Sequence, residues 1–151
     1  MGYTNYTTNT PAKHPQTKWD MMVEAVKHVY SESDVRLTGE YAGSEPEFGK
    51  DVIFFYGDYG LSCEPMVVNR VMDKRDSDMM KRYNRKSFSF CKTQQHPYDL
   101  MVKATMLLHK YFFPEVEIAC DGPMSEFDPA KFLVEQVTGL ELPELKEEVE
   151  A

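Results

Sequence analysis

Asp58, Glu64, Lys92, Tyr98, Asp99 and Asp121 are the side chains in this sequence whose types and placing could do chemistry. Carboxylates set beside a lysine can pass protons or hold a metal ion. Each falls at the end of an expected element. Asp58 and Glu64 flank the turn Gly57-Asp-Tyr-Gly60, Lys92 ends one strand, Tyr98 and Asp99 open a helix, and Asp121 follows another strand. In an open α/β sheet, parallel strands end on one side, and ligands favour that rim. Lys92 and Asp121 are therefore expected on a common side. A structural network of ion pairs and caps among Lys92, Asp99 and Asp121 is the stronger expectation, because half-buried pairs commonly fix geometry.

Other chemistry has little support. His14, His28, His96 and His109 are scattered, and none has C-x-x-C or H-E-x-x-H spacing to a second ligand, so neither a metal nor a cofactor is expected. His109, inside an apolar helix, is expected to be a core or helix-end histidine. No phosphate loop of the G-x-x-x-x-G-K-[ST] type and no G-x-S-x-G nucleophile turn occurs. Cys63, Cys91 and Cys120 are odd in number and far apart, which fits reduced thiols in a cytosol. Cys91, beside Phe90, reads as a small buried hydrophobe.

The elements that must position these residues centre on Ser87–Gly122. Phe88 and Phe90 alternate with polar residues as in a half-buried strand. Pro97 suits the first turn of a helix, and Asp99 suits the positive end of its dipole. Residues to Phe113 are apolar almost all round, with a narrow stripe of His96, Asp99, Lys103 and Lys110 left for water. After Pro114 the chain alternates again through Ala119. Strand, helix and strand with tight joints imply a right-handed crossover between parallel strands.

Trp19, Met22, Val23, Val26, Val29 and Tyr30 form one face of an earlier helix, with Thr17 and Asp20 as its capping box. Val35–Tyr41 is expected as an edge strand and 42–50 as a loop. Val52–Tyr56 is expected as a central strand, and Glu64–Asn69 as an extended segment kept peripheral by Pro65. A last helix begins at Asp128-Pro129 and stops at Gly139. The expected fold is α+β: a mixed β-sheet of three to five strands, a central buried helix and two flanking helices. Residues 1–16 are expected as a flexible arm, 17–140 as one domain and 141–151 as an acidic tail, with one or two frayed helical turns.

The chain has 151 residues, a net charge of −8 and no apolar run of membrane-spanning length or secretory-signal type. Its acidity argues against general binding to nucleic acid. The charge is uneven, however. Arg70, Lys74, Arg75, Lys81, Arg82, Arg85 and Lys86, against three aspartates, give that segment +4 and leave −12 for the rest. With Tyr83 among them, these basic residues could contact phosphates or the acidic face of a partner. A solvated, mobile loop, with a short helix at Ser77–Tyr83, is the simpler expectation.

The pattern F-C-K-T-x-x-x-P-Y-D-x-x-V-x-A-x-x-L-L, from Phe90 to Leu108, resembles a group of small uncharacterised proteins of bacteriophages and prophages. The likeness extends over about residues 50–138, to Phe54–Asp58 and Glu64 upstream and Cys120-Asp121-Gly122 downstream. Cys120 stands where the group has Ser, and Gln94-Gln95-His96 replaces a more basic stretch. The resemblance implies origin more than activity. Taken with the lack of catalytic motifs and the uneven charge, it leads to the expectation of a non-enzymatic accessory protein in the host cytoplasm that binds a protein partner, from host defence or virion assembly. A small enzyme or ligand-binding protein using the strand-end cluster is the alternative, and nucleic-acid contact through 70–86 is the third.

Overall fold

The computed structural model describes residues 2–147. It has an α+β fold: seven strands in two antiparallel sheets, with four α-helices. The first sheet joins β1 (Thr4–Thr8), β6 (Phe88–Lys92) and β7 (Glu117–Cys120), with β1 in the middle. The second gathers β2 (Leu37–Thr38), β3 (Glu47–Phe48) and β5 (Met66–Asn69) around β4 (Val52–Gly57). The single mixed sheet expected from the sequence is thus two sheets whose paired strands are all antiparallel.

The N-terminal segment is the main correction. Residues 1–16 were expected to be loose, yet β1 is the centre of its sheet, and Tyr3, Thr4, Asn5 and Thr7 are buried. The segment is polar because its inward residues meet polar neighbours, so its composition mimicked a disordered arm. β1 also changes the expected crossover. Both β6 and β7 run antiparallel to it, at Asn5↔Cys91 and Asn5↔Cys120, so they are parallel to each other with β1 inserted between them.

Helix α3 (Asp99–Phe112) links β6 to β7, and its residues Met101–His109 are buried without a break. It packs on β1 and β7 and on α1 (Gln16–Glu32) and α4 (Asp128–Thr138). α1 buries the expected face of Trp19, Met22, Val23, Val26 and Val29. Its expected capping box does not form. Pro15 is the N-cap, and Asp20 instead accepts a hydrogen bond from the Gln16 side chain at 2.8 Å. α4 follows a 3-10 turn at Met124–Phe127 and ends at Gly139, whose φ of 73° is the left-handed stop glycine allows. Asp128 lies in its first turn, and the N-cap is Phe127.

β4 is central as expected, but it buries alternate residues, Ile53 and Phe55, leaving Phe54 and Tyr56 half-exposed. β5 is peripheral to it. The expected 42–50 loop contains the short β3. Residues 141–147 have no helix, and Leu142 is buried against the core. The rest of the expected tail, 148–151, lies outside the described residues.

The basic segment forms α2 (Lys74–Tyr83), capped by Asp73, which accepts from the Arg75 amide at 2.8 Å. This is longer than the stretch expected at 77–83. None of its residues is buried.

Candidate functional site

The strand-end residues divide among separate hydrogen-bonded joints. Glu64, Lys92 and Tyr98 form one. The Tyr98 hydroxyl donates to the backbone carbonyl of Glu64 at 2.7 Å or of Lys92 at 3.1 Å, and accepts from the Cys63 amide at 3.1 Å. Glu64 Oε1 accepts from the Lys92 amide at 2.8 Å. Tyr98 is 1 % exposed, and burial pushes its hydroxyl well above the usual phenol range. It locks the Cys63–Pro65 loop to the end of β6. The Lys92 ammonium lies away from this joint, 5.8 Å from the centre of the Phe90 ring.

Asp99 forms the second joint. Its Oδ1 accepts from Asn5 Nδ2 at 2.8 Å and from Thr93 Oγ1 at 2.6 Å, and Lys103 Nζ lies 2.6 Å from its Oδ2. Lys103, expected to face water, is 3 % exposed and sits over the rings of Tyr3 and Phe127. Those rings come from the misread N-terminal segment and from the start of α4, so the helix pattern alone could not place them.

Asp121 accepts from the Thr4 amide at 2.9 Å and from the Tyr6 hydroxyl at 2.6 Å, tying β7 to β1. Tyr6 is raised above its ordinary value chiefly by that hydrogen bond. Asp58 caps its own turn, with its Oδ1 2.9 Å from the Tyr59 amide, and meets Arg36 at 4.0 Å. Among the described residues no cluster of His, Cys, Asp and Glu could hold a metal ion.

The basic residues also separate. Arg70 is drawn inward, bonded to Asp51 at 2.9 Å and to the His14 carbonyl at 3.2 Å. Lys86 pairs with Glu117 at 2.8 Å. Hydrogen bonding to Lys86 holds the Glu117 carboxyl below its ordinary value. Lys74 and Asp78 pair at 3.3 Å along α2. Arg82 and Arg85 lie over the Tyr83 ring at 5.7 and 5.3 Å.

Two features escaped the sequence reading. The first is an aromatic row on the outer face of the β6–β1–β7 sheet. Phe88 and Phe90 are 63 % and 52 % exposed, with ring centres 6.0 Å apart, and Tyr6 lies 6.1 Å from Phe88. The alternation of β6 was legible, but its buried face is Cys91, not the phenylalanines. Size and hydropathy pointed the wrong way.

The second is a buried histidine pair. His14 Nε2 and His109 Nε2 are 2.9 Å apart, enclosed by Trp19 and Phe113. Their 95-residue separation carries no spacing signal. Burial lowers the pKa of His14, and it pushes His109 down to about 3, with His14 adding to the effect.

Comparison of the chain with protein families, curated proteins and solved structures finds no match.

Proposed function

We propose that this chain is a non-catalytic accessory protein of the phage type its sequence resembles, and that it binds a protein partner in the host cytoplasm. The observation that carries this reading is the row of exposed Phe88 and Phe90 beside half-buried Tyr6, with the exposed Tyr83 of α2 lining the same cleft as the two phenylalanines. Single exposed apolar residues are ordinary on a protein surface, but a contiguous aromatic group is not. Aromatic and arginine side chains are also those favoured at interfaces. Lys92 at the row, and Arg82 and Arg85 at Tyr83, suit a partner with acidic groups around an apolar centre.

The strand-end residues support the same reading. Asp99, Asp121, Glu64 and Tyr98 are engaged in joints between elements, which is structural work. The test is capture from host lysate by immobilised wild type beside Phe88→Ser/Phe90→Ser. A protein held by the wild type and lost by the variant, at similar melting temperatures, is expected. Equal recovery by both would remove the aromatic row from the account.

A second reading is favoured by the same row. Aromatic side chains on a sheet face, beside lysine, can stack the bases of a single strand. Glu117 and Asp121 on this sheet oppose it. Binding of a single-stranded oligonucleotide that falls steeply with salt, and is lost in the double variant, would establish this reading in place of the first.

A further inference from the structure

Between the edges of β5 and β6, under α2, lies a cleft of about 670 Å³, within the range of small-molecule sites. Met66, Met72, Met80 and Met106 line it, and their unbranched thioethers adapt to varied apolar shapes. Asn5 and His109 also form part of its wall. Of the buried side-chain nitrogen and oxygen atoms among the described residues, Asn5 Oδ1 and His109 Nδ1 have no hydrogen-bond partner. Both therefore belong to residues of the same cleft.

The hydrogen bonds fix what these atoms can do. The Arg70 carbonyl can only accept, so His14 Nδ1, 2.7 Å away, carries the proton. His14 Nε2 then holds a lone pair and accepts from His109 Nε2–H at 2.9 Å. His109 Nδ1 is left as a bare acceptor on a residue 2 % exposed. Asn5 is fixed in the same way. Its amide nitrogen must face the Asp99 carboxylate, which turns Oδ1 away as a second acceptor. A buried acceptor without a donor is costly, and most are paired.

We propose that this cleft is a binding site for a small, neutral, largely apolar molecule that donates an N–H or O–H hydrogen bond to His109 Nδ1, with Asn5 Oδ1 available to a second donor. A neutral ligand is favoured because the charges at the cleft nearly balance, Asp73 and Asp76 against Arg75, Arg85 and Lys86, beside the methionines. The cleft adjoins the aromatic row, because Phe88, Phe90 and Tyr83 line it too, but Asn5 and His109 belong to its buried side.

The test uses two fragments of one shape, indole with its N–H and indene without it, titrated into full-length protein carrying 15N-labelled histidine. Indole is expected to bind, raise the melting temperature and shift the His109 Nδ1 resonance. Indene is expected to bind roughly tenfold more weakly and to leave that resonance in place. Met80→Trp, which fills the cleft without touching the histidines, should abolish indole binding. Equal binding of both fragments without a shift at Nδ1, no binding of either, or a crystal soaked with indole that shows only water at Nδ1 would each overturn the proposal.

Discussion

Asp99 and Lys103 show how a charged pair can serve a fold and not a reaction. The pair is enclosed at the start of α3, with Asn5 and Thr93 completing the carboxylate's partners. Replacing Lys103 with Met keeps the contacts to Tyr3 and Phe127 but leaves a half-buried carboxylate without its cation. Urea unfolding should show a loss of about 3 kcal/mol, in line with breaking a buried pair. Adding Asp99→Asn should recover part of it. His14 and His109 set the acid limit. Their folded pKa values lie below the unfolded value of 6.5, with His109 near 3. The unfolded chain therefore binds more protons in that window. Stability is complete above pH 6.5 and falls as the pH drops toward 3. His109 alone should remove about 2 kcal/mol between pH 7 and pH 5. Urea midpoints across that range check this, and a flat profile would show that the pair titrates freely.

At the level of elements, the joints matter most. Gly57 ends β4 where a Cβ would lie 2.7 Å from the Tyr98 ring and 2.6 Å from the Leu61 carbonyl oxygen. Gly57→Ala should cost about 1–3 kcal/mol, read as a lower melting temperature, because the buried Tyr98 is anchored at its hydroxyl, donating to the Glu64 or Lys92 carbonyl and accepting from the Cys63 amide. Elements with a clean period were legible in the sequence, including the buried face of α1, the apolar length of α3 and the alternation of β6 and β7. β1 was not. Thr4-Asn-Tyr-Thr-Thr8 has strand-forming residues, but its inward side chains are polar, and their partners Asp99 and Cys91 come from distant elements. The candidate site was legible as a set of residues. That they would divide into separate joints depends on where β1 inserts, which no local pattern carries.

In the molecule as a whole, the inside and the outside differ in kind. Two sheets and three packed helices hold the polar joints, and Phe88, Phe90 and Tyr83 stay exposed. Phe132 on α4, 67 % exposed, provides a comparison because it belongs to neither the row nor α2. The most direct measurement places photoreactive benzoyl-phenylalanine at position 88 in one protein and at position 132 in another, followed by irradiation in host cytosol. The account predicts a discrete protein adduct from position 88 and none from position 132. An adduct from position 132 alone, or the same adducts from both, would contradict it.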